Sequence, residues 1–402
     1  MQEEESRRLA KLLQPEIRQF IRENSHADTY SPELVNSAPD AVSFREVANQ
    51  IHSLQQARKK IPDWYSVPGM VWPPPLSLEQ CSSHATAKYK SSLLSGKRIA
   101  DLTGGSGVDA FYLSNSFNTV HYVEPDSWLC TLAAHNFRVL QAGNIIVHCS
   151  RAEHFLQQEI YTEWMYIDPS RRNENRQKVY KLEDCTPDIT SLLPDLFRRT
   201  DRVLLKAAPM LNLKQGLWAL KQVSAAHIVA VNNEVKELLF ELAPDSGSHF
   251  PVRVVNLSAS GEIIHQFSGS RQDEMHATVP YGEPESYLYE PNAAMMKAGF
   301  FQLLGSTFAV TKLHPNTHLY TSHEIKEGFP GKIYRIKQLL PYRKKAVKEA
   351  IPGLRASVSV RNFPDKADSV KKKLGLKEDS KQVIFATTLQ DGKPVLIRCE
   401  RL

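Results

Sequence analysis

The apolar positions follow a helical period up to about residue 95. Leu9, Leu12, Leu13, Ile17, Phe20 and Ile21 form one stripe over 8–21. Val47, Ile51 and Leu54 form another behind the capping box Ser43-Phe44-Arg45-Glu46. Pro68, Pro73, Pro74 and Pro75 predict an extended connector. A third helix is expected from Ser77-Leu78-Glu79-Gln80 to near Gly96. Beyond it the pattern changes to short apolar runs at 97–100, 119–123, 145–149, 164–167, 203–206 and 227–231, separated by amphipathic segments. A hairpin over 252–257 and 262–267 follows, turned at Ser260-Gly261. Strands alternating with helices predict an α/β core with a doubly wound parallel sheet, whose ligands sit outside the carboxyl ends of the strands. Asp101, Glu124, Asp168, Lys206 and Asn233 fall at those ends and are expected to face one crevice.

The last third mixes both periods. A helix is predicted over 293–304, with short strands at 308–310 and 317–320. Then come a strand at 332–336, a helix at 342–350, a strand at 357–363, a helix at 367–374, and a hairpin over 382–388 and 394–399 turned at Asp391-Gly392. Four regions result: a helical region 1–95, a core 96–270, a small α+β module 271–330 and a terminal α+β domain 331–402.

Composition adds a boundary and a polarity. In 402 residues, 42% hydrophobic and 23% charged is a globular composition, and no apolar run reaches the roughly 18 residues of a membrane span. The acidic start, Met1-Gln2-Glu3-Glu4-Glu5, lacks the order of a signal peptide, and five scattered cysteines without a Cys-x-x-Cys pair suit a reducing cytoplasm. The net charge of +6 is uneven: residues 331–402 carry 18 Lys+Arg against 7 Asp+Glu, or +11, which leaves −5 for the rest. Arg343, Lys344 and Lys345 form one basic cluster and Lys371, Lys372 and Lys373 another, as expected of a surface that meets a polyanion.

The candidate chemistry centres on 99–108, Ile-Ala-Asp-Leu-Thr-Gly-Gly-Ser-Gly-Val. A strand ends at Asp101, then Gly104, Gly105 and Gly107 let the backbone turn and approach a ligand. Glu124 ends the second strand 23 positions after Asp101, where a carboxylate accepts ribose hydroxyls. A P-loop is absent. The dinucleotide pattern fails at Ala110, and an acid ahead of the glycines repels a pyrophosphate but attracts a cation. Ser82, Ser83, Thr86 and Lys90 are candidates to line the mouth of the cofactor site.

Acid, glycines and second acid together resemble the S-adenosylmethionine site of class I methyltransferases, which have a Rossmann-like sheet. The resemblance implies that Asp101, Thr103, Gly104, Gly105 and Gly107 cradle the methionine end and Glu124 the ribose. Asp168-Pro169-Ser170-Arg171-Arg172 sits where amino-methyltransferases carry Asp/Asn-Pro-Pro-Tyr/Phe, so Asp168 and Pro169 are implied to orient the acceptor. The second proline and the base-stacking aromatic residue are missing. Arg171 and Arg172 are candidates to grip a phosphate. Ser150 stands where many relatives have an aspartate for the adenine amino group, and Glu153 is the candidate substitute.

The longer pattern narrows the resemblance. Glu79-Gln80-Cys81-Ser82-Ser83, Asp101-Leu102-Thr103-Gly104-Gly105, Tyr166-Ile167-Asp168-Pro169-Ser170-Arg171-Arg172, Leu205-Lys206-Ala207-Ala208-Pro209-Met210, Asn232-Asn233-Glu234-Val235-Lys236-Glu237 and Tyr289-Glu290-Pro291-Asn292 occur together. They resemble bacterial class I methyltransferases with a ferredoxin-like insert and a C-terminal THUMP-like domain. That implies S-adenosylmethionine as cofactor, no metal, RNA (tRNA or rRNA) as partner, no obligate protein partner, no membrane and a cytoplasmic location. A small-molecule or protein methyltransferase, and a non-catalytic RNA-binding protein, remain the rival readings.

Overall fold

A computed structural model of the chain describes residues 2–29, 31, 34, 39, 41–170, 182–379 and 381–402. The chain folds into two compact units. One comprises 1–232, 236–248 and 257–262, the other 233–235, 249–256 and 263–402.

In the first unit, β1 (Gly96–Asp101), β2 (Phe117–Glu124), β3 (Ile145–Cys149), β4 (Thr162–Ile167), β5 (Thr200–Ala207), β6 (Val223–Val231) and β7 (Glu234–Leu242) follow the order β3-β2-β1-β4-β5-β7-β6. The pairs among β1 to β5 are parallel, as the alternation of strands and helices requires. The winding runs outward from β1 through β2 to β3, then returns to β4 on the other side of β1. The switch point between β1 and β4 is where such a sheet opens a ligand crevice, and Asp101 and Asp168 stand at it. β7 was not anticipated. It inserts antiparallel beside β5, with Phe240 opposite Leu205, and its buried run Leu238-Leu239-Phe240 has no alternation from which to read a strand.

The N-terminal helices belong to this unit. The stripe over 8–21 is two helices, Gln2–Leu12 and Pro15–Glu23, because Pro15 lacks an N–H and takes the first turn of the second one. Ser43 caps Phe44–Lys60 by accepting from the Glu46 amide, as its capping box predicts. The third helix is also split, into Pro75–Gln80 and His84–Leu93. Pro75 starts the first part, and Ser83, not Ser77, caps the second through the Thr86 amide. Ile17, Val47 and Ile51 pack with Trp128 and Leu132 of the helix Ser127–Val139, so the helical region shares its core with the sheet.

The proline connector is held by side-chain amides acting as surrogate strand partners. Gln50 accepts from the Trp72 amide at 2.9 Å and donates to its carbonyl at 2.6 Å. Asn136 does the same for Val71, at 3.0 and 2.8 Å. Ser53 donates to the Pro73 carbonyl. Gln50, Ser53 and Asn136 are buried, so each bond is made away from competing water.

β8 (Val252–Leu257), all but its last residue in the second unit, and β9 (Ile263–Gly269) flank the Ser260-Gly261 turn. A seven-stranded sheet follows. Its strands are β10 (Tyr287–Pro291), β11 (Thr311–Lys312), β12 (Tyr320–Ser322), β13 (Gly331–Pro341), β14 (Ser357–Arg361), β15 (Gln382–Thr388) and β16 (Pro394–Arg401). Their order is β11-β12-β10-β13-β16-β15-β14, antiparallel except for β14 with β15. The helix expected over 293–304 is two, Ala293–Ala298 and Phe301–Phe308, divided at Gly299 in the left-handed region. The strand expected at 308–310 lies later, at Thr311–Lys312, because Phe308 ends that second helix and Ala309 is its left-handed cap. The basic helices are Lys344–Ala350 and Ala367–Leu374. Among the described residues no helix is long and apolar enough to cross a membrane.

The Asn136→Ala protein should lose about 1–3 kcal/mol of stability, because the Val71 amide and carbonyl are left buried without partners. Urea denaturation measures this; an unchanged midpoint would mean that the connector is held without Asn136.

Candidate functional site

The glycine turn is held from both sides before any ligand arrives. Leu102 donates to the Tyr166 carbonyl of β4, and Gly104 donates to the Val123 carbonyl of β2. A Cβ on Gly104 would lie 2.3 Å from the Tyr122 ring, so the turn can rest on that ring only as glycine. Gly107 has φ +81° and faces the Phe137 ring at 2.8 Å from where a Cβ would be, and the helix Val108–Leu113 starts directly after it. Gly105 differs: its missing Cβ would meet nothing closer than 3.7 Å. That side of the turn is open.

The two acids behave differently. Asp101 is buried at the end of β1, and its Oδ1 accepts from the Thr103 amide at 3.1 Å. Its Oδ2 is buried without a hydrogen-bond partner. Burial pushes the Asp101 carboxyl well above the usual range, and the Asp109 carboxylate adds to the push. Glu124 instead straps the turn. Oε2 accepts from the Gly105 amide at 2.8 Å and Oε1 from the Asp126 amide at 2.9 Å. Burial raises its pKa, and these two amides hold it back. A carboxylate has lone pairs beyond these two bonds, so the role expected of Glu124 toward a ribose is compatible with its strap.

Asp168 follows β4, and its amide donates to the Thr103 hydroxyl at 2.7 Å. Thr103 thus ties the glycine turn to the expected acceptor strand end. The Asp168 side chain is about one-third exposed, and its Oδ2 lies 2.5 Å from Nζ of Lys206 near the end of β5. Burial opposes the charge on Lys206, but Asp168, Glu237 and Asp109 together hold its ammonium above the usual lysine range.

Behind this pair lies a cluster that sequence reasoning missed. Lys90, only 1% exposed, donates to both oxygens of Glu237 at 3.0 and 3.1 Å and lies 3.2 Å from Asp109. It also donates to the Ser82 hydroxyl at 2.8 Å. Ser82 and the Tyr166 hydroxyl donate in turn to Asp109 Oδ2, at 2.7 and 3.0 Å. Burial works against charge on Asp109, yet Lys90 and Lys206 keep its carboxyl below the usual range. Ser82, Thr86 and Lys90 were expected to line a mouth; they are buried instead, and Ser83 serves as a helix cap. The signal available for Lys90 was a cation followed by small residues on the helix His84–Leu93.

The remaining candidates are dispersed. Glu153 is exposed in the first turn of Ala152–Leu156, and the Ser150 hydroxyl bonds the Arg151 carbonyl. Pro169 is buried beside Asp168. Arg171 and Arg172 lie outside the described residues. In the second unit Asn292 caps Ala293–Ala298, and Glu290 is held by Arg361 at 2.6 Å and the Tyr334 hydroxyl at 3.1 Å. Arg343, Lys344 and Lys345 are exposed with no carboxylate paired to them among the described residues. Lys371 is paired with Glu378 and Lys373 with Asp365, while Lys372 is exposed between them.

Comparison with known proteins accords with this architecture. Residues 287–330 match the model of a ferredoxin-like domain and 331–401 that of a THUMP-like domain. No curated protein matches the chain. Among solved structures, one described as a "putative methyltransferase" from Porphyromonas gingivalis W83 is 29% identical, with a TM-score of 0.85 over 96% of this chain and 98% of that one. The TrmK of M. capricolum, solved with S-adenosyl-homocysteine, is 12% identical, with a TM-score of 0.32 over 40% of this chain and 68% of its own. A "putative RNA methyltransferase" from Pyrococcus horikoshii is 15% identical, with a TM-score of 0.32 over 46% and 97%. The chain has the class I methyltransferase fold with ferredoxin-like and THUMP-like domains at its C-terminal end.

The raised pKa of Asp101 fixes the sign of a pH effect. A carboxyl whose folded pKa lies above its unfolded value contributes stability at acid pH, and that contribution is lost as pH rises through the folded pKa. Asp101→Asn should therefore gain stability relative to the wild type on going from acid to neutral pH. Urea melts at the two pH values check this; an equal difference at both would show that folding leaves the Asp101 pKa where it is in the unfolded chain.

Proposed function

We propose that this chain is an S-adenosylmethionine-dependent methyltransferase that modifies RNA. The observation that carries the first half is Asp101 Oδ2, a buried carboxylate oxygen with no partner beside a glycine turn open at Gly105. An unpaired buried anion is costly, and a cationic ligand at the turn relieves that cost. A phosphate would increase it. Asp101, Thr103, Gly104, Gly105 and Gly107 then hold the methionine end of the cofactor and Glu124 the ribose, with Glu153 reaching for the adenine. When bound, the cofactor supplies an electrophilic methyl group on a positively charged sulfur. The protein's part is positioning: Thr103 fixes Asp168 against the glycine turn, and Asp168 with Pro169 receives the acceptor.

RNA as the acceptor draws on the C-terminal domain. Its THUMP-like match and its excess of 18 basic over 7 acidic residues both suit a phosphate backbone. Arg343, Lys344 and Lys345 offer the more available charge, since Lys371 and Lys373 are already partnered. Its task is docking of tRNA or rRNA, not base reading. Arg171 and Arg172 add phosphate contacts next to the acceptor, and a protein of this kind works in the cytoplasm.

Calorimetry with S-adenosylhomocysteine is the first test. The wild type should bind, and Glu124→Ala should weaken binding about tenfold or more, the worth of hydrogen bonds to a charged group. Absence of binding to the wild type would sink the methyltransferase reading. For RNA, reversing the charges of Arg343, Lys344 and Lys345 together should lower the slope of log affinity against log salt by roughly 2–3, one lost phosphate contact per side chain. The same change at Lys371, Lys372 and Lys373 should lower it less. Equal slopes in all three proteins would leave the basic surface without a role in RNA binding.

A further inference from the structure

Resting on that reading, we infer that the acceptor atom is an oxygen, the ribose 2′-hydroxyl of an RNA nucleotide, and that Lys206 and Asp168 are the pair that activates it. Lys206 Nζ sits 2.5 Å from Asp168 Oδ2, with 13% and 32% of the two side chains exposed. The pair therefore stands at the open edge of the switch point, while Lys90 and Glu237 behind it are sealed at 1% and 2%. An ammonium has three donors. Asp168 takes one and the Ser82 hydroxyl lies at 3.5 Å, which leaves Lys206 a donor for a substrate. Among the described residues no partner is recorded for Asp168 Oδ1.

This pairing suits an oxygen and opposes a nitrogen. A base amine needs its N–H groups accepted by Asp168, and its nitrogen gains positive charge as the methyl arrives. Lys206 occupies one of those acceptor oxygens and repels that charge. A hydroxyl has the reverse needs. Its oxygen gains negative charge as its proton departs, which a neighbouring ammonium stabilises, and the free carboxylate oxygen takes the proton. Burial alone would let Lys206 become neutral, but Asp168, Glu237 and Asp109 keep it cationic, and Lys90 keeps Glu237 and Asp109 in place. No aromatic residue follows Asp168 within Pro169-Ser170-Arg171-Arg172 to stack an extruded base. Of the hydroxyls in RNA, the one carried by every internal nucleotide is the 2′-OH. In the step itself an oxygen–carbon bond forms and the carbon–sulfur bond of the methyl donor breaks, its electron pair remaining on sulfur. The hydroxyl proton passes to Asp168 Oδ1 and then to water.

The test incubates the full-length protein with methyl-labelled S-adenosylmethionine and total RNA from cells lacking the protein, then hydrolyses the RNA in alkali. A 2′-O-methyl group blocks cleavage at its own phosphodiester, so label should appear in alkali-stable dinucleotides. Label in mononucleotides bearing methylated bases overturns the oxygen assignment and leaves the RNA reading standing. No label in RNA defeats the RNA reading and this inference with it. Lys206→Met should slow transfer about 10²-fold while S-adenosylhomocysteine affinity by calorimetry is unchanged. Asp168→Asn, which keeps an acceptor for Lys206 and so protects the fold, should slow it comparably, with a residual rate that climbs with pH where the wild type has levelled. A pH profile parallel to that of the wild type, or full activity in Lys206→Met, overturns the roles given to the pair.

Discussion

Lys90 is a full positive charge with almost no access to water, and the first unit is arranged around keeping it paired. It reaches Glu237 on β7, Asp109 on the helix after the glycine turn, and Ser82 in the break between two helices. Desolvating one such ammonium costs several kcal/mol unless its partners are held in good geometry. Each of those elements is therefore constrained by the same charge. Asp109 is fixed further by Tyr166 from β4, so the first residues of the turn's helix and the strand before Asp168 are tied to one carboxylate. The unexpected antiparallel strand β7 has a clear task in this arrangement. It places Glu237 beside the end of β5, one residue past the Ala207–Leu238 pair, within reach of Lys90.

The cluster also explains where the sequence was readable and where it was not. The strands whose ends carry Asp101, Glu124, Asp168 and Lys206 were legible because each is a short apolar run closed by a polar residue, and that pattern is local. The helix breaks at Pro15, Ser82 and Gly299 were less legible, since capping boxes and apolar stripes continue across them. At Ser77 the capping motif was present, but Pro75 had already begun the helix. Lys90, Asp109 and Glu237 were illegible as a group because they lie up to 147 positions apart. A buried charge in a sequence looks like an exposed one until the element opposite it is known. β7 failed for a related reason: a continuous buried run has no period that separates strand from helix.

The second unit shows that a match to two domain models can describe one structural body. The ferredoxin-like match ends at residue 330 and the THUMP-like match begins at 331, yet β10 pairs with β13 across that boundary, from Tyr287–Arg335 to Pro291–Gly331. Glu290 on β10 is bound by Arg361 on β14 and by Tyr334 on β13. The basic helices thus hang from a sheet that is continuous with the smaller module. Asn292 and Glu290 are accounted for by capping and by this ion pair.

The glycine turn emerges from these constraints with all but one of its demands met. Its amides are taken by Glu124 and the Val123 carbonyl, its backbone leans on the Tyr122 ring, and Thr103 joins it to Asp168. Little reorganisation is left for a ligand to impose, which is the condition under which positioning and electrostatics act most strongly on a reacting group. The exception is Asp101 Oδ2. Because the protein supplies that oxygen with no donor, the free site is destabilised in proportion to the charge that a cationic ligand would neutralise. Satisfying Asp101 internally would stabilise the fold and blunt the discrimination between a cation and a phosphate at the turn. The same logic holds at the next strand end: Asp168 is half satisfied by Lys206, and the half left open is the one a substrate can use.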